Sequence, residues 1–150
     1  MENADDLMPL LGGLLQSQRL AVLGTHDAGQ PYCSLVAFAA TEDLKHLIFG
    51  TMRSTRKYAN IEADARVALL VDSRNNEEDD FHDALAATAV GNAGEVTGPE
   101  KARYLELYVA KHPYLRDFVD SPTCSLLCVA VTTYYVVQRF QEVTELRMRP

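Results

Sequence analysis

Residues 19–57, RLAVLGTHDAGQPYCSLVAFAATEDLKHLIFGTMRSTRK, are the stretch of sequence that decides the fold. Apolar runs of strand length fall at 19–25, 31–39 and 46–51, and the short polar segments between them contain turn-forming residues such as Gly29. Strands joined by turns this short run antiparallel. The stretch therefore predicts a three-stranded meander, followed by a short helix over about 55–64 with Ser54 as its N-cap.

The rest of the chain continues this antiparallel pattern. Strands are predicted at 66–72, buried on both faces, at 84–96, where Gly91 and Gly94 indicate bulges, and in a final hairpin of 125–131 and 134–140. Helices are predicted at three further places: around 7–15, from a Thr97/Glu100 capping box to about 111, and for one turn at 114–119. About seven antiparallel strands with a few peripheral helices indicate a mainly β (α+β) fold, a small closed barrel, and the 150 residues are expected to form one domain.

Composition excludes several classes of function. The 150 residues carry 14 basic and 21 acidic side chains, and this formal net charge of −7 disfavours a nucleic-acid or anionic-membrane surface. No apolar run approaches the roughly 20 residues that span a bilayer, and the acidic segment 1–6 differs from a signal peptide, so a cytoplasmic location is expected. Three cysteines and four histidines lack the spacing of a disulfide framework or a metal site, so no metal is expected.

One basic segment contrasts with this acidic background. Residues 51–57, TMRSTRK, place three cations and three hydroxyls at a strand end and a helix start. A helix N-terminus offers unpaired backbone N–H groups and a partial positive charge, to which arginine and lysine add full charges. The segment is therefore a candidate phosphate cradle, and the alternative is a solvated basic turn.

Several motifs, in this order and spacing, resemble the FMN-binding split barrel, the family of pyridoxamine 5′-phosphate oxidase. They are GQPY at 29–32, LIFGT at 47–51, STRK at 54–57, NI at 60–61 and RVALL at 66–70. The resemblance implies an antiparallel split β-barrel of six to seven strands, of Greek-key type, with FMN bound at a homodimer interface. Ser34 and Ala39 replace an arginine and a lysine of the oxidases, and the chain has no tryptophan. The resemblance therefore implies the cofactor and leaves the substrate open.

The resemblance also assigns positions around FMN. Arg56 and Lys57 correspond to the pair that holds the phosphate, the strand 34–37 to backbone beside the isoalloxazine, and Arg74 with Asn75 are candidates supplied by the second chain. No side chain is assigned a catalytic role. The full set of implied cofactor-binding positions is Ser34, Leu35, Val36, Ala37, Gly50, Thr51, Ser54, Thr55, Arg56, Lys57, Arg74 and Asn75.

The function expected from the resemblance is that of a flavoprotein, an FMN-dependent oxidoreductase acting on a small-molecule substrate or a redox partner. Two alternatives stay open. One is a non-enzymatic flavin-binding or electron-transfer protein. The other is a related barrel that binds haem or another anionic ligand, for which nothing in the sequence favours His26, His82 or His112 as a haem ligand.

Overall fold

A computed structural model describes residues 4–150, so the first three residues of the acidic segment, 1–3, lie outside the described part. All seven strands of that part belong to one antiparallel sheet. The strands are β1 (Leu20–Asp27), β2 (Gln30–Ala40), β3 (His46–Met52), β4 (Arg66–Asp72), β5 (Ala86–Glu95), β6 (Cys124–Gln138) and β7 (Glu142–Arg147). The helices are α1 (Ala4–Ser17), α2 (Arg56–Ala63), α3 (Asp80–Asp83), α4 (Glu100–Lys111) and α5 (Arg116–Asp120), with a 3₁₀ turn at Pro113–Leu115.

Six of these strands close into a barrel. Their order is β3-β2-β1-β4-β5-β6, and pairing of β3 with the first half of β6 completes the ring. The sub-order β4-β1-β2-β3 is that of a Greek key. The seventh strand, β7, pairs with the second half of β6, beyond the residues that pair with β3. The expected mainly β split barrel is therefore confirmed.

Two apolar clusters hold the barrel together. The larger fills the interior, where inward-facing side chains such as Leu23 and Phe38 pack with the leucines on one face of α1. Alternate residues of β2, β3 and β6 face outward into the smaller cluster, which α4 and α5 cover. Cys124 and Cys128, four apart on β6, both belong to this outer cluster, as their spacing predicts.

The barrel is open between β2 and β3. These two strands pair only through the residues from Phe38 to Ala40 of β2, although β2 begins at Gln30. On its other side β2 pairs with β1 along nearly its whole length. The first two thirds of β2 therefore present a backbone edge toward the split, and the chain leaves β3 there to form α2.

Three sequence-based expectations about elements are wrong. The final hairpin is instead one strand, β6, running through Thr132 and Thr133, and the turn lies at residues 139–141. The capping box does not form, because Gly98 has a φ of +74°, which no helix start accepts, and α4 begins two residues later. Strand β4 is not buried on both faces as expected. In the single chain alternate residues are buried, and the outer face is partly exposed. The bulge expected at Gly91 is present.

Candidate functional site

The start of α2 is organised by a threonine. Thr55 has the extended backbone of an N-cap, and its Oγ1 accepts a hydrogen bond from the backbone N–H of Tyr58 at 3.4 Å. The same hydroxyl donates to the carbonyl of Met52 at 2.9 Å and lies 3.0 Å from Oγ1 of Thr51. Thr55, not Ser54, is therefore the N-cap, since the helix begins one residue later than the sequence indicates, and Ser54 stays exposed.

Two cations of the basic segment keep their charge available. The Arg56 guanidinium lies 5.4 Å from the centre of the Tyr32 ring, at cation–π distance. Within residues 6–150, neither Arg56 nor Lys57 has a carboxylate within ion-pair distance. Both occupy the first turn of a helix, where backbone N–H groups are unpaired and a cation opposes the helix dipole. Uncompensated positive charge at this position is what an anion site requires.

The third cation of the segment has a structural role instead. Arg53 donates to Oε1 of Glu95 at 3.0 Å and to the carbonyls of Pro122 and Cys124 at 2.8 and 3.3 Å. The hydroxyl of Ser125 also hydrogen-bonds Glu95, and that bond, with the Arg53 guanidinium, holds the pKa of the carboxyl below its usual value. Arg53 therefore ties the end of β3 to β5 and to the loop before β6.

The four candidate positions on β2 point to alternate sides of the strand. Val36 faces the barrel interior, whereas Leu35 is 66% exposed on the outer face and Ala37 packs against the outer cluster. Ser34 shares the inner face with Val36, and its hydroxyl oxygen is buried without a hydrogen-bond partner in the described chain. Because buried polar atoms are almost always paired with protein, ligand or water, this hydroxyl beside an open strand edge is free to bind a ligand atom.

Gly50 and Thr51 lie near the end of β3, where α5 packs against the strand. A Cβ on Gly50 would lie 3.1 Å from Val119 and 3.3 Å from Phe118 of α5, so packing alone explains the glycine, and only its backbone is free to serve a ligand. Thr51 is buried and holds Thr55 through the hydroxyl pair described above. Thr51 therefore supports the α2 start, whereas Gly50 makes room for α5.

Arg74 and Asn75 lie at the other end of the barrel. Arg56 lies against Tyr32 of β2, which is level with the first residues of β4 across β1. Strand β4 runs from there to Asp72, so at about 3.3 Å per residue Arg74 lies on the order of 20 Å from the α2 start. Arg74 pairs with Asp72 at 3.0 Å, and the backbone N–H of Asn75 donates to Asp80 at 2.9 Å. A single chain therefore does not bring these two residues to the α2 start.

Sequence comparison decides the family. The sequence profile described as pyridoxamine 5′-phosphate oxidase matches residues 9–138, most of the chain. The chain belongs to the pyridoxamine 5′-phosphate oxidase family. A comparison with curated proteins gave no match.

Solved structures with the family's fold superpose well at low identity. A haem-binding protein from Mycobacterium smegmatis has a TM-score of 0.81 at 16% identity, over 91% of this chain and 55% of that one. A Clostridium acetobutylicum protein related to general stress protein 26 has a TM-score of 0.74 at 15% identity, over 97% of both chains. An FAD-binding protein from Mesorhizobium loti has a TM-score of 0.68 at 16% identity, over 86% and 92%. These likenesses show the fold alone.

Two histidines of this family member have both ring nitrogens occupied. His112 is fully buried, with Nε2 at 2.7 Å from the Phe38 carbonyl and Nδ1 at 3.4 Å from the Tyr114 hydroxyl, and burial lowers its pKa. His26 pairs with Asp64 through Nε2 at 3.0 Å and accepts from the Gly29 N–H through Nδ1. Neither offers a free nitrogen to a metal.

Sequence reasoning about the family motifs missed two residues beside this site. Tyr32 stands within the GQPY motif, two positions before Ser34, and this period-two spacing on a strand could have indicated that its ring shares Ser34's face. Glu95, which engages Arg53, gave no sequence signal, because the two residues meet only through the folded sheet.

No helix of the described residues is long and apolar enough to cross a membrane.

Proposed function

We propose that this protein is a flavoprotein that binds FMN at a homodimer interface and uses it for oxidoreduction with a small-molecule substrate or a redox partner. One observation carries the proposal: Arg56 and Lys57, without acidic partners in the described chain, begin α2 beside the open edge of β2. The family membership supports it, since this family's fold is associated with flavin cofactors.

The α2 start suits the FMN phosphate. A phosphate monoester carries about −1.5 to −2 charges and three acceptor oxygens at pH 7. Arg56 supplies a planar fork of donors, Lys57 a point charge, and the first helical turn supplies backbone N–H groups. The Ser54 hydroxyl is exposed and free to donate as well, whereas the Thr55 hydroxyl is already used by the helix cap.

The β2 edge suits the ring system. A flavin pyrimidine ring presents alternating donors and acceptors, which an unpaired strand edge complements through backbone groups whatever the side chains are. The orphaned Ser34 hydroxyl adds one side-chain donor at this edge. When bound, FMN supplies hydride and electron transfer, and the protein supplies phosphate grip, orientation and exclusion of water. The residues present therefore fit the cofactor.

A second copy of the chain completes the site in this proposal. On the outer face of the sheet, Leu35 of β2 lies opposite Val22 of β1. Val22 in turn lies opposite Leu70 of β4. Leu20 and Leu35 are 54% and 66% exposed there, an apolar patch that a homodimer would cover. Arg74 lines the shallow groove beside this patch, so a two-fold partner would carry it to the other subunit's flavin.

Flavin is favoured over haem because two of the three histidines weighed as haem ligands are already engaged. The proteins of similar fold include one described as FAD-binding and one described as haem-binding. His26 and His112 have both ring nitrogens engaged, so axial ligation of haem iron by either of them would have to break existing hydrogen bonds, whereas the exposed His82 has no such bond in the described part of the chain. A cationic phosphate cradle, by contrast, needs no rearrangement.

The test is retention of FMN after desalting. Wild-type protein mixed with FMN should keep flavin absorption at about one per chain. The double variant Arg56→Ala/Lys57→Ala should lose roughly 100-fold or more in FMN affinity, because two charge-assisted contacts of about 1.5–3 kcal/mol each disappear.

A matched control separates this site from general charge effects. Lys101→Ala/Arg116→Ala removes two exposed cations from the first turns of α4 and α5, and FMN affinity should not change. Unfolding midpoints of both double variants should stay close to the wild-type value. Equal FMN affinity in wild type and Arg56→Ala/Lys57→Ala would refute the proposed site, and a Soret band in the purified protein would favour the haem alternative.

A further inference from the structure

A cavity of about 780 Å³ lies between α1, α4 and the turn that joins β2 to β3. It is separate from the α2 start: Arg56, Lys57 and the first two thirds of β2 are not among its lining residues. Most of its wall is small or apolar, with polar groups at Gln16, Thr41, Glu42 and Lys111. Its size is within the range of small-molecule sites, about 300–1,000 Å³.

One face of α1 keeps this cavity open. Pro9, Gly12, Gly13 and Gln16 follow the i, i+3, i+4, i+7 spacing of a single helix face and all line the cavity, while the leucines of the opposite face fill the barrel. Two adjacent glycines weaken a helix. A Cβ on Gly13 would meet no atom within 4 Å, so close packing does not require that glycine.

Lys111 places a half-buried charge at the cavity wall. Its Nζ donates to the carbonyl of Leu15 at 2.7 Å and lies 3.9 Å from the centre of the Phe38 ring. No carboxylate of residues 6–150 lies within ion-pair distance of it. Burial lowers the pKa of this amine to about 8, so it is still mainly charged at pH 7. An ammonium has three donors, and here the protein uses one.

We propose that the cavity binds a small amphipathic carboxylate, with its apolar body against the glycine face of α1 and its carboxylate on Lys111. The half-buried ammonium has no carboxylate partner among residues 6–150, and a ligand carboxylate would supply one. A phosphate dianion fits less well, because Lys111 ends α4, its partner Leu15 lies in the last turn of α1, and helix C-termini carry partial negative charge. Glu42 at the cavity adds further negative charge.

The experiment compares two ligands of equal chain length by titration calorimetry with purified protein loaded with FMN. Octanoate should bind, and 1-octanol should bind roughly tenfold or more weakly, because it cannot pair with the ammonium. Lys111→Met, which keeps an apolar side chain of similar length, should lose the preference for octanoate. Arg56→Ala/Lys57→Ala should bind octanoate as wild type does, so this site and the proposed flavin site fail or succeed separately.

A second variant fills the cavity without touching Lys111. Gly13→Leu has room for its side chain, so the variant should fold, with an unfolding midpoint equal to or above that of wild type, and should lose octanoate binding. Gly13→Ala is the matched control: it makes the same helix-favouring change with little added volume and should keep binding. Absence of octanoate binding, equal affinity for octanol, or unchanged binding in Gly13→Leu would each overturn the proposal.

Discussion

At the scale of single residues, Gly91 shows how closely two strands approach at the β5 bulge. A Cβ on this residue would lie 2.1 Å from the carbonyl oxygen of Ala130 on β6. That atom belongs to the backbone and cannot move aside without breaking the β5–β6 pairing, which shifts register between Val90 and Gly91. Gly94, three residues along the same strand, would meet nothing within 4 Å. The sequence suggested a bulge at both glycines, and only the folded sheet distinguishes them.

The prediction at this scale compares these two glycines. Gly91→Ala should destabilise the protein by about 3 kcal/mol or more, because overpacking against backbone cannot relax. Gly94→Ala, at an open site, should change the free energy of unfolding by less than about 0.5 kcal/mol. Urea unfolding of both variants measures the difference. Similar midpoints for the two would mean that β5 and β6 are further apart than described.

At the scale of elements, the start of α2 depends on one hydroxyl. Thr55→Ala removes the N-cap and the bond to Thr51, and should cost about 1 kcal/mol of stability. Ser54→Ala should cost less than about 0.5 kcal/mol, since Ser54 is exposed and caps nothing. Thermal unfolding ranks the two, and the reverse order would restore Ser54 as the cap. Thr55→Ser, which keeps the hydroxyl, should recover most of the loss.

The elements that the sequence predicted well are those joined by short turns. The meander of β1, β2 and β3 and the helix after it have local signals, such as Gly29 at φ +89° in the first turn. Strand β6 was divided wrongly because its turn lies at Arg139 and Phe140, which have φ values of +47° and +74°. Arginine and phenylalanine seldom adopt positive φ, so the true turn carried no recognisable signal.

At the scale of the whole molecule, the exposed outer face of the barrel bears on the proposed dimer. Leu35→Glu places a charge at the centre of that apolar patch and should convert a dimer to a monomer in sedimentation analysis. Because the partner's Arg74 would then be lost from the site, FMN affinity should fall as well. Val143→Glu is the control, since Val143 is also 61% exposed but lies on β7. A wild-type monomer would contradict the proposed assembly.

The sequence predicted those parts of the candidate site whose residues are close together in the chain. Arg56 and Lys57 adjoin the helix start in the sequence, and their motif indicated the candidate phosphate cradle. The engagement of Arg53 by Glu95 was not predictable, because it joins residues that only the closed barrel brings together. Lys111 and Leu15 likewise meet across the fold, so the sequence did not indicate that a charge lies beside the small-residue face of α1.

The pairing of β3 with β6 has a consequence for how the chain folds during synthesis. β3 ends at residue 52 and its partner begins at residue 124, so the meander emerges from the ribosome long before the strand that closes it. Until then Leu47, Ile48 and Phe49, fully buried in the finished barrel, lie on an unpaired edge. Closing so long a loop is slow, because the chain between the two strands loses conformational entropy before the β3–β6 hydrogen bonds and contacts form. The nascent chain is therefore most prone to aggregate in the interval between β3 and β6.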